Sequence, residues 1–182
     1  ITEITPDHAT GELATVYAEL IKERGKVSNI LQVHSHRPSA MMRHLDLYMD
    51  LMFAPGGLNR RQRELIAVAV SRSNGCDYCV SHHVEALSRY YRDPAALTTL
   101  ASGATPEDIS AEDRVLIDFA RTLTTAPSSS NEHAVAALRT LGFTDPDILL
   151  ATMIVAYFNF VDRIALGLGV SDAPPALSSG SI

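Results

Sequence analysis

The chain has 182 residues, with 15 basic against 21 acidic side chains for a formal charge of −6, and is 46% apolar and 20% charged. These values exclude a disordered polymer and a basic phosphate-gripping surface, and they predict one domain whose core needs no metal or disulfide staple. Nucleic acid is therefore not an expected partner. The longest uncharged stretch, residues 148–161, is 14 residues long and contains Thr152 and Asn159. That falls short of the ~20 apolar residues of a bilayer span, so no membrane segment is expected. No charged start followed by an apolar run opens the chain, and the expected compartment is the cytoplasm.

The pattern is helical from end to end. Leu13, Val16, Tyr17, Leu20 and Ile21 follow the stripe of an amphipathic helix, which Gly25 ends. A second helix starts near Pro38 and repeats as Met41, Leu45, Tyr48 and Met52 before the breaker Pro55-Gly56-Gly57. Asn59 with Gln62 predicts a capping box for a third, with Leu58 placed to staple against the Arg63 stem or Leu65. That helix runs through Leu65 and Val70 to a break at Asn74-Gly75. A further helix starts around Cys76 and reaches about Tyr90, and Asp93-Pro94 opens the next. Ser110 with Asp113 launches a helix striped by Leu116, Phe119, Ala120 and Leu123, and Asn131 to Leu141 is a short one closed by Gly142. Thr144 with Asp147 begins the last, Ile148 to about Leu168, whose nearly all-round apolarity places it centrally. Alternation never persists, so no strand is expected and the fold class is all-α. The domain is set at residues 1–170, with 171–182 a disordered tail rich in Pro and Ser.

An internal echo appears at a shift of 85 residues: Leu58-Asn59 falls on Phe143-Thr144, Leu65 on Leu150 and Val70 on Val155. It leaves open an internal duplication or a coincidence between Ala/Leu/Val-rich helices. Cys76, Cys79 and His83 fall on Val161, Ile164 and Leu168, so only the first copy carries chemistry.

The chain's two cysteines are three residues apart, which staples nothing distant and asks for a chemical explanation. On a helix, Cys76, Cys79 and His83 lie within an arc of roughly 60°, whereas His82 points elsewhere. A helix N-terminus and a nearby imidazole both favour a thiolate. A second thiol one turn away lets a sulfenic acid condense to a reversible disulfide. Plain core packing and a zinc site of Cys76, Cys79 and His83 compete with that reading, the latter lacking a fourth ligand. A c-type haem is excluded by Val80 after the second cysteine, and a thioredoxin context by the lack of strands.

The stretch Arg63-Glu64-Leu-Ile-Ala-Val-Ala-Val-Ser71 followed by Asn74-Gly-Cys-Asp-Tyr-Cys-Val-Ser-His-His83 resembles the alkylhydroperoxidase AhpD-like proteins of the carboxymuconolactone decarboxylase superfamily. His36-Arg37-Pro38, Gly56-Gly57-Leu58, Gly142-Phe143-Thr144-Asp145 and Phe158-Asn159-Phe160-Val161-Asp162-Arg163-Ile164-Ala165 are similar to its peroxidase-related branch, extending the likeness over about residues 10 to 170. The resemblance implies about seven to nine helices, a homo-oligomer of trimer or hexamer type, and peroxide reduction through the cysteine pair without haem, flavin or metal. By position it makes Cys79 the peroxidatic sulfur, Cys76 the resolving one, His83 the base and Glu64 a relay member. The closer spacing of Cys79 to His83, one helical turn, points the same way. Its implied partners are a small hydroperoxide and a dithiol or protein reductant. The sequence departs from the family's peroxidase pattern at Tyr78, where a histidine precedes the second cysteine.

Without the resemblance, Glu64 reads as a first-turn acid favoured by the helix dipole. His34, His36, His44 and His133 read as surface or packing residues. Asn159, Asp162 and Arg163 read as polar groups that satisfy buried partners or an oligomer interface. Two other functions stay open: a non-enzymatic thiol sensor or adaptor, and a decarboxylase or lactone-handling enzyme.

Overall fold

Asn59 accepts a hydrogen bond from the Gln62 amide and the Gln62 side chain accepts one from the Asn59 amide, both at 3.0 Å, so the expected capping box starts α4 (Arg60–Asn74). Every residue from 63 to 71 on this helix is buried, and it packs against neighbours on all sides. A computed structural model describes residues 1–129 and 132–172. Around α4 stand α3 (Pro38–Phe53), α5 (Asp77–Ser88), α6 (Pro94–Ser102), α7 (Ala111–Thr125) and α9 (Asp145–Leu168), all in contact with it. The remaining helices are α1 (Gly11–Arg24), α2 (Asn29–Gln32) and α8 (Glu132–Thr140), and no strand occurs among the described residues. The fold is all-α, as the periodicities predict.

The centre of the bundle is α4, not the last helix. Ala67, Val68, Ala69 and Val70 present short side chains in every direction, which lets neighbouring helices approach closely. Helix α9 buries Ile148, Ala151, Ile154, Val155, Phe158 and Asp162 on one flank while Leu149, Met153, Phe160 and Leu166 stay exposed on the other. All-round apolarity does not distinguish a buried face from one that faces outward. At 24 residues, with a mean hydropathy of 1.6 in its most apolar window, α9 is long and apolar enough by composition alone to cross a bilayer, although half of that window is buried in the bundle.

Arg63 locks the turn before α4. Its guanidinium donates to the carbonyls of Leu51 (3.0 Å), Ala54 (2.9 Å), Gly56 (2.6 Å) and Leu58 (2.7 Å). The expected staple between Leu58 and Arg63 is thus made partly through backbone, with the Leu58 side chain buried in the core. Gly57 sits in this turn at φ +62°, and a Cβ there would come within 2.9 Å of Leu150. A smaller apolar cluster joins α1 to α3 through Leu13, Val16, Tyr17, Leu20, Met41 and Leu45.

The 85-residue echo has a structural counterpart. Thr144 and Asp147 form a capping box at the start of α9 as Asn59 and Gln62 do for α4, and Asn74 meets its counterpart Asn159 at 3.2 Å. Phe160 stands where the first copy has Gly75, and α9 runs on unbroken. At the C-terminus, Ser171 accepts from Asn29 at 2.7 Å and Asp172 pairs with His82 at 3.1 Å, so these two residues are held, contrary to the expected disorder. The rest of the expected tail, 173–182, and Asn131 at the expected start of α8 lie outside the described residues.

His44 is a packing residue. It is buried on α3 with Nε2 3.1 Å from the Tyr157 hydroxyl, its ring lies edge-on to His34, and burial followed by the nearby His34 lowers its pKa to about 4. A base with a folded pKa below its unfolded value of 6.5 contributes stability that is present above 6.5 and is lost as pH falls toward 4. We expect acidification from pH 7 to 4.5 to remove roughly 2–3 kcal/mol through this group. Urea unfolding of wild type and His44→Gln at both pH values checks this. The expected result is a smaller acid loss in the variant; equal losses would show that His44 is not the linked group.

Candidate functional site

The site grows from the break that Asn74-Gly75 puts between α4 and α5. Gly75 adopts a left-handed conformation at φ +73°, and the Cys76 amide donates back to the Ser71 carbonyl at 2.9 Å, a Schellman-type closure of α4. The chain turns at once into α5 with Cys76 as its N-cap, Sγ accepting from the Cys79 amide at 3.4 Å. Cys79 lies in the first turn, and the two sulfurs are joined as a disulfide, with Cα atoms 5.3 Å apart. Both cysteines are buried and pack with Ala165 of α9.

Cys79 and His83 are one turn apart on α5, as their spacing predicts. The His83 Nδ1 is 2.8 Å from Glu64 Oε2, and the Glu64 Oε1 accepts from Arg60 at 2.5 Å. A carboxylate accepts, so Nδ1 donates to Glu64 and Nε2 stands outside this bond. The Phe158 ring meets the imidazole edge-on at a centroid distance of 4.4 Å and fixes its plane. Glu64 has no solvent exposure and stands in the second turn of α4, so its reading as a first-turn acid is corrected: a charge buried this deeply is held by Arg60 and His83 rather than by the helix dipole. Arg60 was missed at the sequence level, although its i, i+4 spacing to Glu64 was a readable signal. It also donates to the Met52 carbonyl at 2.7 Å and lies 3.7 Å from the centroid of the Phe53 ring.

On the other side of the cysteines is Asp162 of α9, which has no solvent exposure. It accepts from the Ser71 hydroxyl at 3.1 Å and from Asn74 Nδ2 at 2.9 Å, so its reading as a polar group with buried partners holds. Burial, the dominant cause, raises its pKa, opposed by these two hydrogen bonds and by the charges of His83 and Arg163. One carboxylate oxygen and the two sulfurs lie within 4.8 Å of one another. Here the two sulfurs are bonded to each other, and a disulfide is a group that can take up two electrons. Nothing in the sequence pattern placed Asp162 beside the disulfide, because its distance from Cys76 along the chain is closed only by the packing of α9 on α4.

Tyr78 packs edge-on to His82, with centroids 4.5 Å apart. Burial is the main cause of its raised pKa, so the phenol stays protonated. An open groove of about 520 Å³ runs beside Cys76, bordered by Tyr78, Ser81, Ala165, Val170 and Asp172. His34 Nδ1 lies 2.9 Å from the Ile30 carbonyl, and His36 Nε2 lies 2.7 Å from that of Thr2. His133 is exposed on α8. None of the three joins the cysteine cluster.

The carboxymuconolactone decarboxylase family model matches residues 39–111, a span that holds α4, the break and α5. The chain is 30% identical to a peroxidase-related protein with an alkylhydroperoxidase AhpD core from Ralstonia eutropha JMP134, with a TM-score of 0.81 over 92% of this chain and 88% of that one. A peroxidase-related protein from Silicibacter sp. TM1040 is 27% identical, with a TM-score of 0.79 over 92% and 88% of the two chains. The debrominase Bmp8, in complex with 2,3,4-tribromopyrrole, shares the fold at 17% identity, with a TM-score of 0.76 over 93% and 89%. No curated protein matches the chain. An identity of 30% that extends over nearly all of both chains, in the fold that the helix periodicities predict, shows that the chain belongs to the AhpD-like proteins of the carboxymuconolactone decarboxylase superfamily.

Proposed function

We propose that the protein is a thiol peroxidase that reduces small organic hydroperoxides through Cys79 and Cys76 and is recharged by an external dithiol. The observation that carries this reading is the joined pair at the start of α5 with the His83–Glu64–Arg60 chain behind it. In the reduced enzyme, His83 Nε2 accepts the Cys79 proton, and Glu64 stabilises the imidazolium that forms. The thiolate attacks the terminal peroxide oxygen; an S–O bond forms, the O–O bond breaks, and the alkoxide leaves with the proton from His83. The Cys76 sulfur then attacks the Cys79 sulfenic acid, forming the S–S bond and releasing water. A dithiol supplies two electrons and two protons to reopen the disulfide. The groove beside Cys76 supports that sulfur as the one an external reductant meets. With the redox pair as the working group, the mechanism needs no other cofactor.

The chain is further proposed to work as a homo-oligomer. Leu149, Met153 and Phe160 make an exposed apolar stripe on α9, and Leu47, Met49 and Phe53 are exposed on α3. Surfaces of this kind favour association.

Three measurements test the reading. Hydroperoxide consumption with dithiothreitol is expected to saturate and to continue beyond two thiol equivalents; a reaction that stops there replaces the enzyme by a thiol sensor. After one peroxide equivalent, dimedone is expected to label Cys79 in Cys76→Ser and to leave Cys76 unlabelled in Cys79→Ser; the reverse pattern makes Cys76 the nucleophile. Glu64→Gln and His83→Gln are each expected to lower turnover by about 10²–10⁴-fold, with helical circular dichroism retained. Wild-type turnover in both removes them from the proton path.

A further inference from the structure

We propose that Asp162 is the proton carrier of the disulfide, taking the Cys76 proton when the S–S bond closes and returning a proton to the leaving sulfur when a dithiol opens it. The inference deepens the proposed function but rests only on Cys76 and Cys79 being a working redox pair, whatever the oxidant. Asp162 is fully buried, makes no ion pair among the described residues, and is bonded by two neutral donors, Ser71 and Asn74. Placing a carboxylate there costs more than placing an apolar residue of similar size, unless the group changes charge as part of its work. It lies within 4.8 Å of both sulfurs, a span that one bridging water covers. Glu64 is already committed to Arg60 and His83 and so does not serve this role.

The charges that act on Asp162 are His83 of α5 and Arg163 of its own helix. Helix α4 gives it the neutral donors Ser71 and Asn74, α3 places His44 against Tyr157, and α7 brings Thr124 against Asn159. Burial holds its pKa above the ordinary 3.8, which brings the acid nearer the pH at which thiols exchange.

The chemistry balances with a dithiol as co-reactant. Its thiolate attacks one protein sulfur, an S–S bond forms between them and the Cys76–Cys79 bond breaks. The departing protein sulfur takes the electron pair of that bond and the proton of Asp162. The dithiol's second sulfur then loses its proton and displaces the remaining protein thiol, leaving the dithiol oxidised by two electrons and both cysteines reduced. In closure, the Cys76 proton passes to the Asp162 carboxylate as the S–S bond forms, the Cys79 S–O bond breaks, and the hydroxide that leaves takes a proton from solvent to become water.

The test follows disulfide opening by dithiothreitol between pH 4.5 and 8, with samples quenched by iodoacetamide and counted by mass spectrometry, the rate divided by the dithiothreitol thiolate concentration. Wild type is expected to lose rate as pH rises through the Asp162 pKa. Asp162→Asn is expected to lack that limb and to be at least about tenfold slower at its acid end. Ser71→Ala removes a hydrogen bond to the charged form, and the limb is expected to move to higher pH. The proposal is overturned by a wild-type profile flat over this range, by a limb that persists in Asp162→Asn, or by one that stays in place in Ser71→Ala. No peroxide enters the experiment, so absence of peroxide turnover removes the proposed function and leaves this result standing.

Discussion

A carboxylate with no exposure on the most buried helix is the constraint to which the rest of the site answers. Desolvating Glu64 costs several kcal/mol unless cations and hydrogen bonds replace water, and α4 alone supplies one partner, Arg60. The second comes from α5, so the Glu64–His83 bond fixes where α5 docks against α4. Because α5 starts directly after the Gly75 turn, docking His83 also fixes Cys79 one turn earlier and Cys76 at the cap. The break, the cysteine pair and the imidazole are therefore one geometric unit, held at one end by backbone and at the other by a buried charge.

The turn before α4 serves the same unit. Arg63 ties four carbonyls of the 51–58 segment to the helix, and Arg60 reaches back to the Met52 carbonyl while holding Glu64. Two neighbouring arginines thus divide the work, one satisfying backbone that would otherwise be buried unpaired and one satisfying the carboxylate. A lysine in either place has a single ammonium and lacks the planar fork that reaches several acceptors at once.

Helix existence, capping boxes and the one-turn interval from Cys79 to His83 were legible because each is set by spacing over a few residues. Asn59 with Gln62 and Thr144 with Asp147 form their boxes as the three-residue interval predicts. What spacing does not carry is which apolar helix sits at the centre. Helix α4 is less apolar in composition than α9, yet it is enclosed because Arg60, Arg63 and Glu64 find their partners inside the protein, while the richer apolarity of α9 is spent on two sides. Asp162 illustrates the same limit at the site. One polar residue in an apolar helix signals a buried partner, but the partner's identity depends on the parallel packing of α9 on α4, in which Asp147 and Leu150 lie near Gly57 and Asp162 lies near Asn74.

That packing places two buried carboxylates near one disulfide with different company. Glu64 is paired with an arginine and a histidine, and its environment rewards a fixed negative charge. Among the described residues Asp162 has only a hydroxyl and an amide as direct partners, so its environment rewards charge far less. Two similar groups separated in this way can serve two different protons, one at Cys79, a helical turn from His83, and one at Cys76, beside the groove. The echo between α4 and α9 supplies the frame for this division: the first copy breaks at Gly75 to expose a helix start, and the second runs straight through Phe160 to bring an acid up beside it.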